Sequence, residues 1–171
     1  YSTAIGFQAL YTEDTVGQLV AVGRHALYSN NGGTENTALG FSALYTNTTG
    51  TSNTAAGYSA LVLNTTGNSN TAFGRDALYY NVTGSWNTAF GAEALEHNTA
   101  NYNTAVGRQA LYLNTTGSRL VATGNRALYN NTTGDYNHAF GDHALGSNTT
   151  GANNVACLLY TSDAADEAWG G

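Results

Sequence analysis

"NTAFGRDALYYNVTGSW" (residues 70–86) runs directly into "NTAFGAEALEHNTANY" (residues 87–102). Self-similarity at a short fixed period is the mark of an array architecture, and it decides the fold before any single motif does. The frame is set by Gly6, Gly23, Gly40, Gly57, Gly74, Gly91, Gly107, Gly124 and Gly141, 17 residues apart except for one step of 16 between Gly91 and Gly107. The consensus reads N-T-A-x-G-x-x-A-L-x-x-N-T-T-G-x-x, with positions numbered as places one to seventeen. In all nine copies place three is Ala, place five Gly, place eight Ala and place nine Leu.

Seventeen residues are too few for a helical pair, and richness in Asn, Thr and Gly opposes long helices. Short strands joined by turns fit better, two to a copy, with each copy making one coil of an all-β parallel solenoid. "NTAxG" alternates with period two, so places one, three and five face one side and places two and four the other. "NTTG" is turn chemistry, from an Asn able to bond nearby backbone and a Gly that tolerates unusual φ. About nine coils stacked at ~4.8 Å give a rod roughly 40 Å long over residues 1–156.

Small residues at places three and five predict a cramped interior. The main filler is the place-nine ladder, with Leu27, Leu44, Leu61, Leu78, Leu95, Leu111 and Leu128 as the coil core. Ala and Leu at neighbouring places cannot both point inward from one regular strand, so a bend or single helical turn is expected there. Place four points away from the Ala/Gly face and carries Ile5, Val22, Leu39, Phe73, Phe90, Val106 and Phe140. In a lone rod this ladder is an apolar stripe in water, the kind of patch that marks an interface. Several chains around a common axis would cover it.

The nine-fold "NTAxGxxALxxNTTG" motif, over residues 2–156, resembles repeats of bacteriophage tail-fibre proteins and related bacterial surface proteins, often found upstream of a self-cleaving chaperone domain. It is also similar to the head repeat of trimeric autotransporter adhesins, where a shorter "SVAIG"-type core builds a left-handed parallel β-roll. The 17-residue period exceeds the adhesin repeat, which implies a larger outer turn. The resemblance implies a homotrimer with the place-four ladder at the threefold axis, outside the cell on a virion tail or a bacterial surface. The expected function is a non-enzymatic fibre segment carrying a host- or surface-binding tip. A self-assembling filament or sheath of solenoids stacked head to tail is the alternative. Thr at place two in six copies raises a weaker third reading, an ice-binding surface, but it faces the apolar side.

Residues 157–171 depart from the repeat. "CLLYTSDAADE", residues 157–167, resembles the translation of a sequencing-library transposon adapter and is read as a non-native tail on a metagenomic fragment of a longer chain. Setting aside Asp163, Asp166 and Glu167 moves the formal net charge from -6 to -3. Cys157, the lone cysteine, falls in this tail and supports no disulfide, zinc or nucleophile argument.

Chemical sites find little support. His138, Asp142 and His143 are close in sequence, but they occupy places two, six and seven and read as surface substitutions. Glu93 and Glu96 sit beside Arg75 and Asp76, a solvated charged face rather than a glycosidase pair. Five Arg, no Lys and a negative balance make nucleic acid a poor partner. No long apolar run suggests membrane insertion. No catalytic, cofactor or metal residues are assigned. Place ten carries Tyr28, Tyr45, Tyr79, Tyr112 and Tyr129, a ladder suited to coil stacking or to glycan contact. Asn47, Asn64, Asn81, Asn114, Asn130, Asn131 and Asn148 satisfy the N-x-T glycan-acceptor pattern, although their turn role already accounts for them.

Overall fold

The computed structural model describes residues 1–12 and 17–158. Ten short strands follow one another: β1 Ser2–Ile5, β2 Leu19–Val22, β3 Thr37–Leu39, β4 Thr54–Ala56, β5 Thr71–Phe73, β6 Thr88–Phe90, β7 Thr104–Val106, β8 Val121–Thr123, β9 His138–Phe140 and β10 Val155–Cys157. They form one parallel sheet in the order β1 to β10. The register is one coil per strand, Thr71 opposite Thr88 and Phe73 opposite Phe90. This is an all-β parallel solenoid of about nine coils. β10 continues the ladder through Cys157, which lies opposite Phe140, one residue beyond the boundary expected at 156. Most of the tail, residues 159–171, lies outside the described residues.

Each coil holds one strand, not two. The reason is backbone handedness. Place seven (Gln8 to His143) and place nine (Leu10 to Leu145) adopt positive φ in every coil, with Leu78 at 53° and Asp76 at 56°. Left-handed residues cannot propagate a pleated strand. Ala77 N–H bonds Gly74 O at 3.4 Å and Asn81 N–H bonds Leu78 O at 3.2 Å, so two β-turns succeed one another. The first carries its positive φ at the third residue, as a type II turn requires. This double turn is how adjacent Ala77 and Leu78 are both wholly buried. Coils still bond one another here, Leu78 N–H donating to Ala94 O at 3.0 Å.

The interior is thin. Ala at place three and Ala and Leu at places eight and nine form a continuous core, with Leu27, Leu44, Leu61, Leu78, Leu95, Leu111 and Leu128 fully buried. Place five must be glycine on two counts. Gly74 has φ +133°, and a Cβ added there would lie 2.5 Å from Gly91 O in the next coil.

The rest of the interior is polar. Asn at place one and Asn at place twelve are both fully buried. Within one coil they converge on a single carbonyl: Asn53 Nδ2 and Asn64 Nδ2 donate to Gly67 O at 2.8 and 3.1 Å. Each also reaches the neighbouring coil. Asn64 Nδ2 donates to Asn47 Oδ1 at 2.8 Å, and Asn70 backbone N–H donates to Asn53 Oδ1 at 2.9 Å. The 16-residue copy keeps this clamp by shortening its turn, so that Ala100 O receives both Asn87 and Asn98 at 2.8 and 2.9 Å. The missing residue leaves strand register intact, with Thr88 opposite Thr104. In two coils Leu19 and Leu120 replace the place-one Asn and are buried in its stead.

Two predictions follow from this cross-section. Leu78→Ala should cost about 2–5 kcal/mol, whereas Arg75→Ala, on the exposed face, should be near neutral. Asn64→Leu should destabilise more than Asn70→Leu, because Leu already serves at place one twice and never at place twelve. Denaturant unfolding of the four variants checks both orderings.

Candidate interface and surface ladders

A solenoid turns sequence columns into surface columns, so each outward place becomes a line of side chains one coil apart. On the outer face of the sheet these lines are places two and four, with places seventeen and six just outside the strand at its two ends. The strand fixes the direction of each: place three is buried, while places two and four project outward.

The place-four column is exposed over most of its length. Ile5, Leu39, Phe73, Phe90, Val106 and Phe140 are all exposed, Phe73 at 38 % and Phe90 at 43 %, and Val22 is half-buried. Phe73 and Phe90 stack with ring centres 4.7 Å apart and planes 4° from parallel. Strand register thus dictates ring stacking, and the stack leaves the ring edges facing outward. From Phe73 to Val106 the column is one residue wide, whereas exposed Phe7, Phe41 and Tyr58 of place six widen the apolar strip toward the first coils. On one flank lie Thr71, Thr88 and Thr104 of place two, half-buried. On the other flank place six is mixed, with Arg24 between Phe7 and Phe41, its guanidinium carbon 5.8 and 5.7 Å from their ring centres.

A second exposed aromatic column was not singled out from the sequence. Trp86, Tyr102 and Tyr136 occupy place seventeen with Arg119 among them, all at left-handed φ. Trp86 stacks on Tyr102 at 4.9 Å and 2°. Arg119 lies 5.5 Å from the ring centre of Tyr102 and 5.3 Å from that of Tyr136, and its guanidinium donates to Tyr136 Oη at 3.1 Å. The signal was present as aromatics one period apart, but it is diluted by Glu35, Ser52 and Ser69 in the earlier copies.

The place-ten tyrosines are half-buried on another side of the coil. Tyr28 stacks on Tyr45 at 4.8 Å and 7°, and Tyr112 on Tyr129 at 5.2 Å and 7°. Val62 and Glu96 interrupt the series, leaving Tyr79 to pack against Tyr80 at 4.7 Å. A sugar stacks on a ring's face, and within these pairs the inner faces are taken by the neighbouring ring. Packing is therefore what most of this ladder does.

Polar side chains elsewhere form axial chains in the same way. Arg75 pairs with Asp76 at 2.6 Å and with Glu93, Gln109 Nε2 donates to Glu93 at 2.6 Å, and Arg126 Nε donates to Gln109 at 2.8 Å. The Gln109 hydrogen bond, with Arg75, holds the Glu93 carboxyl below its usual range. Burial, reinforced by Glu93, pushes Glu96 above it. Among the described residues no three His, Cys, Asp or Glu side chains gather where they could hold a metal ion. Asp142, in the His138–His143 segment, accepts from Asn125 Nδ2 at 2.9 Å. Five of the N-x-T asparagines, Asn47, Asn64, Asn81, Asn114 and Asn131, are fully buried with their amides bonded inward, so the folded coil withholds them from glycan attachment. Among the described residues no helix is long and apolar enough to cross a membrane.

No protein-family model, curated protein or solved structure matches the chain.

Glu96 stands where six coils carry Tyr. Its folded-state carboxyl titrates above the unfolded one, so ionisation opposes folding at neutral pH, and that opposition fades as pH falls below the carboxylate range. Glu96→Gln should accordingly raise the melting temperature at neutral pH and change it little in acid. Thermal melts at the two pH values read the difference.

Proposed function

We propose that the chain is a non-enzymatic structural segment of a trimeric extracellular fibre, of the phage tail-fibre or bacterial surface-adhesin kind, holding a binding tip away from its base. The observation that carries the reading is the uncovered place-four column. A soluble monomer has no use for Phe73, Phe90, Val106 and Phe140 lined up in water along most of its length. A column that runs the length of a rod can be buried along that length by closed rotational assembly of parallel rods. From Phe73 to Val106 the column is one residue wide, with Thr on one side and Arg75, Ala92 and Arg108 on the other, which suits convergence of three rods on an axis better than a broad face-to-face pair. Trimerisation also agrees with the resemblance of the repeat to fibre and adhesin repeats.

The rest of the coil suits a mechanical role. Every place that is the same in all nine copies is Ala, Gly or Leu, and all serve the interior. Backbone, Asn and aromatic ladders each run coil to coil along the axis. Such a rod is stiff along its length and varies mainly in its surface columns.

Light scattering on the whole chain should give three chain masses. Phe73→Asp with Phe90→Asp would bury several uncompensated charges on the axis and should give smaller or aggregated species. A monodisperse monomer for the unmutated chain would overturn the reading.

A further inference from the structure

The place-ten ladder has a gap at its ninth member, where Gly146 replaces the ring that six other coils carry. Tyr129 is stacked by Tyr112 on one side, and the next coil places no ring at place ten to stack on the other. A cavity of about 340 Å³ opens at this gap, lined by Arg126, Tyr129, Asn130, His143, Gly146 and Ser147. That volume lies at the small end of the range for ligand clefts, roughly 300–1,000 Å³.

The lining has a definite chemical character. It contains no carboxylate, in a chain with 11 acidic residues and 5 basic ones. Arg126 is held by its Nε bond to Gln109, with its guanidinium carbon 5.3 Å from the Tyr129 ring centre. Its terminal N–H groups make no hydrogen bond among the described residues. Asn130 Nδ2 donates to Gly146 O at 2.7 Å, which anchors the carboxamide and leaves its oxygen to accept. Gly146 N–H bonds His143 O at 2.9 Å, fixing the floor.

We propose that this gap binds a sugar ring bearing a carboxylate, such as a hexuronate. The ring occupies the layer of the missing aromatic, its C–H face on Tyr129 at the spacing the coils impose. Its carboxylate meets the Arg126 guanidinium, the natural partner for a planar anion. Ring hydroxyls donate to Asn130 Oδ1 and bond the Ser147 hydroxyl, groups that an aromatic acid would leave facing carbon. The site is built by two successive coils of one chain and does not depend on the number of chains in the assembly.

The test titrates the whole chain with D-glucuronate and, separately, D-glucose, following the Tyr129 and His143 ring signals by NMR. Glucuronate should shift both saturably, and glucose should bind about tenfold more weakly or not at all. Arg126→Gln should remove the preference for the acid. Gly146→Tyr, which restores the common residue at this place, should abolish glucuronate binding while circular dichroism stays unchanged. Should that variant misfold, Tyr129→Leu carries the same reading. No saturable shift with glucuronate, equal binding of glucose, or undiminished binding in the variant that fills the gap or removes the ring would overturn the proposal.

Discussion

One carbonyl per coil organises this molecule. In the six coils with Asn at both places, Gly67 O or its equivalent accepts from two asparagines that enter from opposite ends of the coil, and this closes the coil into a loop. Where Leu19 or Leu120 stands at place one, the carbonyl accepts from one. A buried amide left without partners is costly, about 1–3 kcal/mol per unsatisfied group, so the asparagines are tolerated only because each finds both an intracoil and an intercoil partner. Those intercoil bonds force one coil directly above the next. Direct stacking in turn sets strand register, ring stacking and the line of every surface column.

The cost of the arrangement appears in the backbone. Leu at place nine is left-handed in all nine coils, a conformation disfavoured by roughly 1–2 kcal/mol for a residue with a Cβ. It persists because this conformation brings Ala and Leu of consecutive places into the same core. The thin interior of Ala, Leu and paired Asn then excludes larger groups from the coil. Most variation falls on outward places such as four, six, seven, ten and seventeen, while places three, five, eight and nine never vary. A site, where one exists, arises from interruption of a column, as at Gly146, rather than from the repeat itself.

Period, solenoid class, leucine core and the outward direction of place four were all legible in the sequence, since each follows from spacing and alternation. Three features were not. The second strand expected in each coil is replaced by a double turn, because no residue type announces left-handed φ at Leu or at a place that varies from Gln8 to His143. The asparagines of "NTTG" read as turn residues, and their burial emerges only when two remote asparagines are seen to share a carbonyl. The Trp86–Tyr136 column and the Tyr129 cavity depend on which rings fall in consecutive coils, which the consensus averages away. Trimerisation rests on the exposed column together with the resemblance of the repeat, and it stands as the proposal above.

The claim that buried asparagine ladders hold the coils is tested most directly by side-chain amide exchange. In deuterated buffer, NMR should show the carboxamide protons of Asn47, Asn64 and Asn81 exchanging as slowly as the backbone amides of the central strands. Exposed Asn101, whose nitrogen makes no hydrogen bond among the described residues, should exchange at the solvent rate. Fast exchange at Asn47, Asn64 and Asn81 in a folded chain would contradict the account, since the amides would then be meeting water instead of one another.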